Sequence, residues 1–124
     1  KVLSPHIKEF AELFRISKNK YFDCEQAARD VNSVILLKGN DTIISEKGKK
    51  AFINYFTSPY LATAGSGDVL AGLIGSFISQ GLTAIDAACS GCFIHSNSAI
   101  NLNRPFSSMD LIHKIPFTIR KYSK

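Results

Sequence analysis

The residues whose types and spacing suit chemistry gather at positions 61 to 72, Leu-Ala-Thr-Ala-Gly-Ser-Gly-Asp-Val-Leu-Ala-Gly, where a small-residue turn runs into an apolar helix with Asp68 at the junction. Gly65 and Gly67 allow close backbone approach and uncommon dihedral angles, and the first N–H groups of a helix lack intrahelical partners. The backbone from Ala64 through Ser66 to Gly67 can therefore form an anion hole, and a phosphoryl oxygen suits it. Asp68, held as a carboxylate by the helix dipole, stands where it could take the proton of a hydroxyl attacking that phosphoryl group. The same residues also suit a purely structural role, with Ser66 as an N-cap and Asp68 as an ordinary first-turn acid. A P-loop is excluded, because no Gly-Lys-Ser/Thr follows the glycines. The Gly-x-Gly-x-x-x-x-Gly spacing also departs from the dinucleotide-binding fingerprint.

A second group of interest is Lys38-Gly39-Asn40-Asp41-Thr42. It follows the apolar run Val34 to Leu37, and a turn at the end of a buried strand offers a cation and backbone groups where α/β sheets bind ligands. The competing reading is a plain Gly-Asn turn between strands. His6 reads locally as a surface histidine at a helix start, and His95 as a core or rim histidine of an apolar helix. The chain has three cysteines, Cys24, Cys89 and Cys92. The Cys89-x-x-Cys92 spacing falls inside a helical run with no second ligand pair, so buried thiols are expected and no metal site is assigned.

The elements that must position these residues are readable in outline. A helix is expected over 5 to 15, with Pro5 in its first turn and Ile7, Phe10, Ala11 and Phe14 on one face. A second helix is expected over 24 to 31, with Ala27, Ala28 and Val31 inward. Strands are expected at 34 to 37, 42 to 45 and 51 to 56, the first of them fully buried. The helix after the glycine turn carries Val69, Leu70, Leu73, Ile74, Phe77 and Ile78 as its apolar stripe and ends at Gln80-Gly81. Its other side, Ala71, Gly72, Gly75 and Ser76, is thin enough for close packing. A nearly all-round apolar helix should cover about 83 to 101. A last helix over 108 to 113 should be interrupted by Pro116 and resume toward Tyr122. Three strands with flanking helices give an α/β layered unit without repeats or linkers.

Composition excludes several function classes. The chain is 45% hydrophobic and 20% charged, with a net charge of +5. No apolar run approaches a membrane span and no signal peptide is visible, so a cytoplasmic protein without a membrane partner is expected. The lysines are dispersed rather than arranged in a basic stripe, which argues against nucleic-acid binding and suits attraction of anionic nucleotides.

Four ordered blocks carry a family resemblance: VLSPHIKEF at 2 to 10, LLKGNDTII at 36 to 44, SPYLATAGSGDVLAGLIGSFISQG at 58 to 81, and AIDAACSGCFIHSNSA at 84 to 99. A weaker fifth is SSMDLIHKIP at 107 to 116. Together they resemble the NAD(P)H-hydrate dehydratases of the ribokinase-like superfamily, and they match the C-terminal half of that family's domain. The resemblance implies a partial ribokinase-like αβα sandwich. It also implies dehydration of hydrated NAD(P)H driven by cleavage of ADP (or ATP), with Mg2+, and a homo-oligomer or association with an N-terminal half. Carried over by position, Asp68 is the catalytic base and Ala64 to Gly67 the anion hole. Lys38, Gly39, Asn40, Asp41, Thr42 and Gly67 hold the nucleotide, and His6 with Asp68 contacts the nicotinamide hydrate. His95 matches a family histidine without an assigned role. Thr57-Ser58 replaces the family's usual Gly-Asn, and Ala64 and Ser96 replace glycines. A nucleotide-binding remnant without activity and a ribokinase-like small-molecule kinase are the alternatives.

Overall fold

The computed structural model describes residues 1–55 and 58–123. Alternation along one strand organises the layers. β2 (Val34–Leu37) is apolar at every position and buried throughout, so it must feed two cores. Val34 and Leu36 face one way, onto Ile44, Leu70, Ile74, Ala87, Ala88 and Cys92. Ile35 and Leu37 face the other way, onto Phe10, Cys24, Ala27, Ala28 and Ile43. The result is a three-layer αβα arrangement. β1 (Val2–Leu3) pairs parallel with β2, while β2 with β3 (Thr42–Ser45) and β3 with β4 (Phe52–Asn54) pair antiparallel, in the order β1-β2-β3-β4. One face carries α1 (Ile7–Leu13) and α2 (Lys20–Val31); the other carries α3 (Ser66–Ser79) and α4 (Ala84–Leu102). α5 (Ser108–Tyr122) packs on α4 around Ala99, Phe106 and Leu111.

Several expectations need correction. The first helix is shorter than 5 to 15: His6 is its N-cap, and Pro5 lies before it, its carbonyl accepting from the Lys38 N–H at 2.9 Å. Only Phe10 of that helix is buried, its ring tilted against that of Phe14 at 4.9 Å between centroids, while Ile7 and Ala11 are exposed because a seven-residue helix presents a single side chain to the core. α2 starts at Lys20, since Asn19 accepts from the N–H groups of Tyr21 and Phe22, and Val31 near its end is exposed. The third expected strand narrows to Phe52–Asn54, the residues that register with β3. Phe56 and Thr57 lie outside the described residues. A 3₁₀ turn at Pro59–Leu61 precedes the glycine turn.

The α3 stripe holds at Leu70, Leu73 and Ile74, but Ile78 is exposed, and Ala71, Gly72, Gly75 and Ser76 face outward. Close helix packing occurs instead at Gly91 of α4, where an added Cβ would lie 2.7 Å from Ile74 Cγ1. α5 runs through Pro116 unbroken. The proline removes the donor to the Ile112 carbonyl, and both residues sit on the exposed side, where water can take that bond.

Candidate active site

Lys38 reaches its place through β2. It follows the last strand residue, its N–H is fixed by the Pro5 carbonyl, and it forms a parallel bridge with His6. His6 is fixed in turn by a reciprocal cap, its Nδ1 accepting from the Glu9 N–H at 3.3 Å and its own N–H donating to the Glu9 carboxylate at 2.9 Å. These residues stand at the carboxyl ends of two parallel strands, where open α/β sheets bind ligands. Across from them the chain enters α3.

Gly65 caps that helix with φ of +88°, a left-handed angle that glycine tolerates, so Gly65 rather than Ser66 is the N-cap. Ser66 anchors the turn: its hydroxyl donates to the Leu61 carbonyl at 2.6 Å and its N–H to the Thr63 carbonyl at 3.2 Å. Ser66 therefore has no free donor for an anion. Among the described residues, the N–H groups of Gly67 and Asp68 meet no acceptor, so the donor set of the helix start lies there. The Lys38 Nζ lies over this point, 3.2 Å from where a Cβ on Gly67 would be.

Between the two sides is a cavity of about 530 Å³. Of the expected site residues, His6, Lys38, Gly39, Asn40, Thr42, Ser66 and Gly67 line it. Ala64, Gly65, Asp41 and Asp68 do not. Asp68 is exposed, one residue beyond Gly67 at the third position of α3. The side of the cavity formed by α4 supplies residues that local reading missed, Cys92, His95 and Ser96. Ser96 accepts from the Asn54 amide at 2.8 Å, as does Cys92 Sγ at 3.2 Å, and burial pushes the Cys92 thiol above its ordinary range.

His95 is buried, and its Nε2 lies 2.9 Å from the Ser66 carbonyl. A carbonyl accepts, so Nε2 carries the hydrogen. Burial lowers its pKa below the ordinary 6.5; the Ser66 bond opposes that shift and the Lys38 charge adds to it. A neutral histidine thus ties α4 to the first residue of α3. In the sequence it shows only as a histidine of an apolar helix that matches a family position without an assigned role, because its partner lies 29 residues away.

A cleft at the carboxyl ends of parallel strands, closed by a glycine turn and a helix N-terminus, defines the chain as part of a ribokinase-like domain. It superposes on a ribokinase-like superfamily protein from Enterococcus faecalis with TM-score 0.84 and 26% identity, over 98% of this chain and 44% of that one. It superposes with TM-score 0.91 and 22% identity on an ADP/ATP-dependent NAD(P)H-hydrate dehydratase from Bacillus subtilis crystallised with ATP and Mg2+, covering 98% of this chain and 49% of that one.

The profile of the family described as NAD(P)H-hydrate dehydratase matches residues 1–120, and the chain belongs to that family. It is 41% identical to the bifunctional NAD(P)H-hydrate repair enzyme Nnr of Helicobacter pylori, over 92% of this chain and 27% of the relative. It is 35% identical to the ADP-dependent (S)-NAD(P)H-hydrate dehydratase of Neisseria meningitidis, over 79% of this chain and 35% of the relative. The chain thus spans about a third or less of these curated relatives and about half of the solved chains.

Proposed function

We propose that this chain forms the catalytic cleft of an ADP-dependent NAD(P)H-hydrate dehydratase, which restores NAD(P)H from its hydrate and releases AMP and phosphate. The observation that carries the reading is the Lys38 ammonium over Gly67 at the start of α3, with Asp68 next in the chain. A cation and free helix-start N–H groups meet there, and the next residue along the helix carries a carboxylate, the set that phosphoryl transfer needs.

In this reading Lys38, Gly39, Asn40, Asp41 and Thr42 hold the adenine nucleotide together with Gly67. The terminal phosphoryl lies against the turn from Ala64 to Gly67, with the N–H groups of Gly67 and Asp68 as donors. His6 meets the nicotinamide hydrate from the other side. Asp68 takes the proton of the ring hydroxyl as its oxygen attacks the terminal phosphoryl of ADP; the new P–O bond forms and the bond to the AMP oxygen breaks. The phosphate then leaves the ring carbon with the C–O electron pair, a proton passes from the neighbouring carbon to water, and the double bond returns. His95 holds the Ser66 carbonyl, and with it the turn, throughout.

Mg2+ would neutralise phosphate charge. Among the described residues no three His, Cys, Asp or Glu gather to cage an ion. An ion brought on the nucleotide would need few protein ligands, since Mg2+ keeps waters and phosphate oxygens for most of its shell. The reading includes the cytoplasm, where reduced nicotinamide nucleotides are used. It also includes a homo-oligomer or an N-terminal half, supported by the β1 edge, which has no strand partner among the described residues. No described helix is long and apolar enough to cross a membrane.

The test is recovery of reduced-nicotinamide absorbance from hydrated NADH, with ADP or ATP and Mg2+, comparing the wild-type chain with Asp68→Asn. Nucleotide-dependent recovery, slowed at least about 100-fold in the variant, is expected. No recovery by a folded chain that still binds ADP would leave a nucleotide-binding remnant.

A further inference from the structure

The turn that lines the cleft is not held by its own strands alone. Lys20, the first residue of α2, sends its ammonium 3.0 Å from the Asp41 carbonyl, across 21 residues of sequence. The same Nζ lies 3.2 Å from where a Cβ on Gly39 would be. Gly39, Asn40 and Thr42 on either side of that carbonyl line the cavity. Lys20 is half-buried and does not line it. Its hydrogen-bond partner is a main-chain oxygen of the connection between β2 and β3, so it acts on backbone shape. Thr42 Oγ1 reaches the Gly39 carbonyl at only 3.4 Å, a weak internal closure for the same loop.

The geometry points to Lys20 as a positioning residue of the nucleotide site, bracing the Lys38–Thr42 connection in the shape that lines the cleft. This rests on the nucleotide reading above. A charge-assisted bond to a carbonyl stabilises more than a neutral one, so losing it should release the loop without unfolding the core, in which Lys20 takes no part. Gly39 fits the arrangement, because any side chain there would press on the ammonium.

The experiment is calorimetric titration of the 124-residue chain with ADP and Mg2+, on wild type, Lys20→Met, Lys20→Gln and Lys20→Arg, with thermal unfolding of each chain without nucleotide. The expected result is a Kd weaker by about ten-fold in Lys20→Met and Lys20→Gln, within about two-fold of wild type in Lys20→Arg, and near-equal unfolding midpoints. Wild-type affinity in either neutral variant overturns the inference and leaves the nucleotide reading intact. A lowered midpoint with unchanged affinity overturns it too, reducing Lys20 to a fold brace. Absence of ADP binding by wild type removes both readings together.

Discussion

Gly65→Ala tests the turn on which the site depends. At φ of +88° an alanine enters the left-handed region, at a cost of about 1–2 kcal/mol. Its Cβ would also lie 3.2 Å from both Cβ and Oγ of Ser108, the first residue of α5. Neither atom is the end of a long flexible chain, so the α5 start must give by a few tenths of an ångström, adding about 1 kcal/mol or more. The sum is about 2–3 kcal/mol, which for a domain of this size lowers the unfolding midpoint by about 10 °C. The chain has no tryptophan, so far-ultraviolet circular dichroism is the assay. Gly65→Ala combined with Ser108→Gly removes the crowding and keeps the backbone penalty. Gly65→Asn does the reverse, since asparagine tolerates left-handed angles. Each should recover part of the loss in the Gly65 variant. A Gly65→Ala chain melting within about 2 °C of wild type would refute the strained-turn argument, and full recovery in the Ser108→Gly double variant would refute its backbone part.

Two further outcomes follow from the packing around that turn. His95 has its pKa lowered in the fold, so below about pH 6.5 the unfolded chain binds the extra proton first and stability falls as pH drops toward the folded pKa. His95→Gln should flatten that decline in unfolding measured across the acid range, and an unchanged pH profile would refute the neutral assignment. Gly91→Ala should destabilise by about 1–2 kcal/mol, because overpacking against Ile74 at 2.7 Å outweighs the helix propensity gained. Denaturant melts should then show much of that cost vanish in an Ile74→Ala background, and strictly additive losses would refute it.

What the sequence makes legible is what short range decides. Val34 to Leu37 reads as a buried strand because four apolar residues bounded by a turn have few other uses, and α3 reads from its stripe and its glycine start. β1 escapes because two residues become a strand only through parallel pairing with Val34 and Ile35. The early start of α2 was available in Asn19, a good N-cap, but Tyr21 and Phe22 are exposed and hide the stripe. Pro116 misleads because α5 carries it on its exposed side, where water can take the bond that the Ile112 carbonyl loses. At the site, the motif positions come together at Lys38, Gly39, Asn40, Thr42, Ser66, Gly67 and His6, whereas His95 and Lys20 bond to main-chain oxygens far along the chain, which no local pattern foretells.

That difference bears on how such a site is built. The groups that face the cavity are short or charged and sit on connections, which by themselves hold no fixed shape. The connections are tied from their neighbours: His95 of α4 holds the Ser66 carbonyl, Lys20 of α2 holds the Asp41 carbonyl, and the Pro5 carbonyl before α1 takes the Lys38 N–H. The tie to Lys38 is made by backbone alone, and it fixes where that side chain leaves the main chain. The root of the Lys38 side chain is therefore set beside β2, and one carbonyl of each glycine-bearing turn is held from α2 or α4. On the proposed nucleotide reading, substitutions at Lys20 and His95 should loosen binding while leaving the Lys38 charge in place.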